Sequence, residues 1–196
     1  DKESFPGEQV AQIRLHQDAA LQAKVEKVWG ELRAPTPEYF QKEIDRIHEI
    51  LKEGKSNPYD GKPLFMNKCA ACHKLFADGG SIGPDLTGYQ RKDTGNMLLN
   101  IVHPNAEIRE GYENYVVTMK DGRVIMGFKA DEDNAIMVIR GMDGQSISLK
   151  REGIAKINAI GSSLMPQGLL NGVSDQQIRD FFAYFRTTQP LVGGKR

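Results

Sequence analysis

The sequence predicts a mainly α-helical domain with a small antiparallel β-sheet inserted into it and a helical extension at the N-terminus. Three observations predict it. Apolar residues recur at helical spacing over residues 1–55 and again near the C-terminus, the spacing changes to alternation from Tyr112, and a Cys69-Ala70-Ala71-Cys72-His73 cluster lies between the two regimes.

Val10, Ile13, Leu21, Val25 and Val28 fall on one helical stripe ending near Trp29-Gly30. Phe40, Ile44, Ile47 and Leu51 mark a second helix, with Thr36 as N-cap, Pro37 in its first turn and Gly54 as its stop. Residues 1–55 therefore read as an N-terminal helical extension. Its two histidines, His16 and His48, sit in polar stretches where a solvated imidazole is expected. Residues 56–63 (SNPYDGKP) have turn chemistry and are expected to form a boundary, after which a short helix from Leu64 carries the cysteine cluster. A glycine-rich loop, DGGSIGPDLTG (78–88), leads to a helix near Asn96–Val102 that Pro104 halts.

Glu113–Lys120 and Arg123–Ala130 flank Asp121-Gly122, a dipeptide favoured in two-residue hairpins, and Ala135–Arg140, Ser146–Lys150 and Gly153–Ile157 continue as short strands. That gives four or five strands over residues 112–160. Ser174 with Gln177 makes a capping box for a last helix whose apolar stripe is Ile178, Phe181, Phe182 and Phe185. Residues 56–190 form the main domain and 191–196 a tail.

Charge and composition narrow the function. The 26 Lys+Arg balance 26 Asp+Glu, and 39% of the 196 residues are hydrophobic, enough for one domain with a small appendage. A neutral chain does not gain affinity by neutralising many phosphates or anionic lipids, so nucleic acid and membrane surfaces are not expected partners. Apolar runs such as Leu98-Leu99 and Ile101-Val102 are too short for a membrane span or a signal-peptide core. A chain opening at Asp1 is expected to be a mature or excised form.

Cys69 and Cys72 are the two cysteines. On a helix, positions i, i+3 and i+4 share a face, so both sulfurs and the His73 imidazole project together. Attaching a haem through two thioethers and ligating its iron from the same turn requires this arrangement, and C-x-x-C-H reads as c-type haem attachment. A zinc site needs four ligands, and no second C-x-x-C supplies them. A thioredoxin-type redox pair wants a βαβ context, which the pattern lacks. Both cysteines are then consumed, leaving no disulfide. Within Ile82-Gly83-Pro84-Asp85-Leu86, the Pro84 carbonyl can accept the Nδ1 proton of His73 and fix the ring. Leu75, Ile82, Leu86, Leu98, Leu99 and Val102 are the apolar residues expected around the porphyrin.

Candidates for a sixth ligand are His103, Met97, Met119, Met126, Met137, Met142 and Met165, although a methionine is ordinarily core filler. Met165 is preferred, because Ser163-Leu164-Met165-Pro166 is a loop before the last helix and the proline holds it extended. His103 is the second choice. Met119, Met126 and Met137 fall within expected strands, where sheet packing explains them.

These residues resemble a known family. Gly61-Lys62-Pro63-Leu64-Phe65 before CAACH, GPDL after it, a Met-Pro loop and an aromatic terminal helix look like a monohaem c-type cytochrome of the small soluble class. In that class the helix carrying Phe65 crosses the terminal helix, here offering Phe182 and Phe185. More closely, IGPDLTGY (82–89), LLNIVHPNAEI (98–108), GYENYVVTMKDGRVIMG (111–127) and SLMPQGLL (163–170) resemble the haem-binding domain of planctomycete and verrucomicrobial type. That domain often sits at the C-terminus of large exported dehydrogenase-like proteins. The resemblance runs over about residues 25–187, includes VWG (28–30), and implies a mainly α cytochrome c fold with the inserted antiparallel sheet and the N-terminal helical extension.

The expected function is electron transfer by one covalent haem c ligated by His73 and Met165. Its expected partners are redox proteins, an exported dehydrogenase as donor and a respiratory acceptor, in the periplasm or another exported compartment. Two strong axial ligands leave no open position for a substrate, so the chain is expected to be a carrier and not an enzyme. A vacant or displaceable sixth position would instead make a haem-based sensor or a binder of CO, NO or O2. A peroxidase ranks third, because only one haem motif is present and no distal His and Arg pair is identifiable. Over residues 62–92 five basic residues, Lys62, Lys68, Lys74, Arg91 and Lys92, face two acidic ones, Asp78 and Asp85, marking an expected positive edge near the motif.

Overall fold

The structure is a computed structural model that describes residues 36–192 together with the helical positions 20, 21, 23, 24 and 27. Of the first expected stripe, Leu21 is described and helical. Val10, Ile13, Val25, Val28, Trp29 and Gly30 lie outside the described residues, as do His16 and positions 193–196.

Helix α1 (Pro37–Lys52) begins where the sequence places it, the Thr36 hydroxyl accepting the Tyr39 amide at 3.3 Å. It buries Phe40 and Ile47, packs Ile44 and Leu51 partly against the same core, and leaves His48 exposed. Helix α2 (Pro58–Lys68) corrects the expected boundary, since residues 58–63 are its first turns. The Asn57 side chain accepts the Tyr59 amide at 3.0 Å, and the buried Asp180 carboxylate accepts the Asn57 amide at 2.7 Å. Those caps, with Pro58 at N1, outweigh the local turn tendency of Gly61 and Pro63. The same helix ends at Lys68, so the cysteine cluster follows it and is not carried on it.

Helix α3 (Thr94–Val102) is capped by Asp93, whose carboxylate accepts the Asn96 amide at 3.1 Å. Five strands follow: β1 (Asn114–Met119), β2 (Val124–Glu132), β3 (Ile136–Arg140), β4 (Ser146–Lys150) and β5 (Ile154–Ala159), all antiparallel in the order β4-β3-β2-β1-β5. The first hairpin closes with three residues, not two. Met119 and Arg123 pair across Lys120-Asp121-Gly122, and Gly122 takes φ +90°. A left-handed glycine in third place of a three-residue loop matches strand twist as well as the two-residue turn does.

Helix α4 (Asp175–Phe185) carries the expected capping box, Gln177 amide to Ser174 hydroxyl at 3.3 Å and Ser174 amide to Gln177 side chain at 3.1 Å. It crosses α2 so closely that a Cβ on Gly61 would overlap the Asp180 carbonyl. Phe65 packs on Tyr184 and Phe185, at ring separations of 5.5 and 6.4 Å. Together with Ile178, Phe181 and Phe182 these rings form the main core, which α1 shares through Phe40 and Ile47. Burying each ring contributes about 2 kcal/mol.

The sheet has its own smaller core of Val117, Met119, Met137, Ile139 and Leu149. Ladder pairs Val117↔Ile125, Lys129↔Ile139 and Met137↔Leu149 put these on one face. On the opposite face, Asn114, Phe128 and Arg140 form a cross-strand row.

Candidate haem-binding cleft

Past the end of α2, the amide of His73 donates to the Cys69 carbonyl at 2.8 Å and that of Cys72 to the same oxygen at 3.1 Å. This single turn gathers Cys69, Cys72 and His73 as a helical turn would, although the helix has already stopped. The loop after it folds back on the imidazole: His73 Nδ1 lies 2.9 Å from the Pro84 carbonyl oxygen. With Nδ1 donating there, the proton is placed away from Nε2 and the ring is oriented. Gly83 makes this approach possible, because a Cβ there would stand 2.6 Å from the ring's Cε1 and 2.8 Å from Nδ1.

Burial lowers the pKa of His73 against the opposing pull of the Pro84 carbonyl, which favours the neutral ring that a metal needs. Burial likewise pushes the Cys69 thiol up to about 12, with Cys72 adding to the rise and Lys68 opposing it, and burial raises Cys72 too. Neutral thiols of this kind are poor metal ligands and poor nucleophiles. Among the described residues no group of three or more His, Cys, Asp and Glu side chains could hold a metal ion.

All three motif side chains line one cleft of about 1140 Å³, counted with its open mouth. Ile82, Gly83, Pro84 and Leu86 supply one wall, and Ser163, Leu164, Met165, Pro166 and Leu169 supply another. Phe181 and Phe185 reach it from α4. From α3 the lining residues are Met97, Asn100 and Ile101, which corrects the expected Leu98, Leu99 and Val102. Leu98 and Val102 are buried in the main core, as is Leu75. The run 97–102 is apolar at every position but one, so periodicity could not choose the face.

Of the ligand candidates, Met165, Met97 and Met142 line the cleft. Met97 is buried on α3, whereas Met142 is 45% exposed in the β3–β4 turn. Met165 sits partly buried in its loop, its amide donating to the Ser163 hydroxyl at 3.1 Å, and the Ser163 amide donates to Asn105 Oδ1 at 2.7 Å. His103 is outside the cleft lining, stacked on Phe40 with ring centroids 3.9 Å apart. Met119 and Met137 pack in the sheet core; Met126 lies in β2 but is exposed.

Sequence reasoning weighed Met142 as a ligand candidate but missed that this end of the sheet forms part of the cleft. Tyr112, Phe128 and Met142 all line it, and a Cβ on Gly144 in the same turn as Met142 would meet Ile82 Cγ1 at 3.8 Å. Only the strand order, which folds this end of the sheet back over the loop, brings them there.

The expected positive edge is smaller than the residue count. Arg91 is 7% exposed and donates to the carbonyls of Leu86, Thr87, Phe185 and Thr187, the last two at 2.8 Å, with its guanidinium 5.3 Å from the Phe76 ring centroid. It clasps the cleft loop to the end of α4. Lys62 pairs with Asp78 at 2.5 Å. Lys68, Lys74 and Lys92 remain, and of these Lys68 lines the cleft.

Residues 59–140 match the family model for Cytochrome c. The match supports a c-type cytochrome and suggests an electron carrier rather than an enzyme, and it implies covalently bound haem c and redox partners. It spans α2 to β3 and stops short of the Met165 loop and α4. No curated protein matches the chain. Cytochrome c domains are typically exported, and no described helix is long and apolar enough to cross a membrane.

Proposed function

We propose that this chain is an electron-transfer cytochrome holding one haem c by thioethers from Cys69 and Cys72, with His73 and Met165 as its axial ligands. Residues 56–190 make the haem domain, 112–160 its strand insertion and 1–55 the helical extension, and the domain is of planctomycete and verrucomicrobial type. Its donor is an exported dehydrogenase and its acceptor a respiratory protein, both met in the periplasm or another exported compartment.

One observation carries the reading: the cleft brings together both sulfurs, an imidazole already oriented by Pro84, and the Met165 loop. The haem supplies a one-electron couple at its iron. The chain's own residues set that couple's surroundings. Pro84 keeps His73 in one tautomer and orientation, Gly83 leaves room for the ring, and Leu86, Ile101 and Phe181 exclude water from the cleft. A thioether opposite an imidazole raises the reduction potential, because it favours the ferrous state.

The absorption spectrum of the oxidised protein tests the ligand pair. A red-edge band of methionine-to-ferric-iron character is expected. Its absence, together with fast carbon monoxide binding to the reduced protein, would move the chain to the sensor reading.

A further inference from the structure

The inserted sheet meets the cleft along one row of side chains. Asn114, Phe128 and Arg140 are direct ladder partners on adjacent strands, so they share a face, and the central ring lines the cleft. The Arg140 guanidinium lies 5.6 Å from the Phe128 ring centroid and 6.0 Å from that of Tyr112, which also lines the cleft. Its Nε is buried without a hydrogen-bond partner. Both polar side-chain atoms of Asn114, 1% exposed, lack partners too. So does the Ser162 hydroxyl, two residues past Ile160, whose amide donates to the Asn114 carbonyl at 2.8 Å.

Buried polar atoms almost always find a partner, and an arginine cannot shed its charge to avoid the cost. Orphaned donors on both sides of a cleft-lining ring call for an anionic acceptor, and a carboxylate matches the fork of a guanidinium. Haem carries two such groups, its propionates. The charged side chains that line the cleft are Lys68, Arg109 and Glu107, and Arg140 adjoins it through the Tyr112 and Phe128 rings on which it packs. Arg109 is exposed, and its Nη1 already donates to the Tyr89 hydroxyl at 3.2 Å.

We infer that the inserted sheet is the carboxylate-binding wall of the haem cleft, with Arg140 pairing with a haem propionate and Asn114 donating beside it. The inference rests on the haem reading above and gives the strand insertion its role. It makes Arg140 a positioning residue, acting on the haem through its edge and not through the iron.

The test uses the holoprotein with haem carrying carbon-13 at the propionate carboxyls, read by infrared difference spectroscopy between the oxidised and reduced forms. In Arg140→Gln the labelled carboxylate band shifts, and in Arg140→Lys, which keeps the charge but not the fork, it moves part of the way. If Arg140→Gln does not accumulate as holoprotein, Arg140→Lys decides. A labelled band identical to the parent's, in variants with full covalent haem, would overturn the inference and leave the haem reading intact. A parent protein without covalent haem would remove both.

Discussion

Gly61 and Asp180 meet backbone to backbone at the crossing of α2 and α4, where a Cβ on the glycine would overlap the carbonyl of the other residue. The crossing sets where α2 ends, and so where Cys69, Cys72 and His73 stand relative to Phe181 and Phe185. Gly61→Ala is expected to cost about 3 kcal/mol through overpacking against backbone that cannot give way. Denaturant titration of the holoprotein measures it, and a loss under about 0.5 kcal/mol, the range of ordinary surface changes, would show that the helices can separate freely.

Arg91 holds the cleft loop to the end of α4 through four carbonyl oxygens. Arg91→Leu removes the donor to all four, although the Leu86 carbonyl keeps the Tyr89 amide, so stability is expected to fall by about 3 kcal/mol. Hydrogen exchange should speed up over residues 86–91 and 185–187 together. Faster exchange in only one of these segments would mean that the clasp does not couple them.

Some of this was legible in the sequence for identifiable reasons. CAACH, the Ser174–Gln177 capping box and the strands flanking Asp121-Gly122 are local signals, and each lies within a few residues of where it was read. The start of α2 was hidden because Gly61 and Pro63 disfavour a helix locally, while the contacts that reward one come from Asp180, far along the chain. Arg91 counted as surface charge, since sequence does not show the carbonyls that surround it. Phe128 read only as a strand residue, and Met142 as one ligand candidate among several. Their place in the cleft follows from ladder pairings over long separations, which have no period.

Met165 decides the sixth position. Met165→Ala should keep the covalent haem and the fold, lower the reduction potential, and let carbon monoxide bind the ferrous protein readily. His103→Ala and Met142→Ala should leave carbon monoxide binding as slow as in the parent, since the first stacks on Phe40 and the second belongs to an exposed turn. Fast binding in Met142→Ala with none in Met165→Ala would reassign the ligand.

With Arg91 buried and Lys62 paired, Lys68 is the basic residue of residues 62–92 that remains at the cleft. Lys68→Glu should therefore slow oxidation by an anionic small-molecule oxidant several-fold at low ionic strength, whereas Lys92→Glu should change it little. The difference should fade above about 0.1 M salt, where exposed charges are screened within roughly 10 Å. Equal slowing by both substitutions would return the whole stretch to the role of a positive edge.

The account stands on a haem joined to Cys69 and Cys72, and the most direct measurement is acid-organic extraction of the denatured holoprotein followed by mass determination of the polypeptide. The expected result is a chain heavier by one haem, with no haem in the organic phase, and a Cys69→Ala, Cys72→Ala double variant that releases whatever haem it holds. Haem recovered free from the parent, or a polypeptide of unmodified mass from cells competent in cytochrome c maturation, would contradict it.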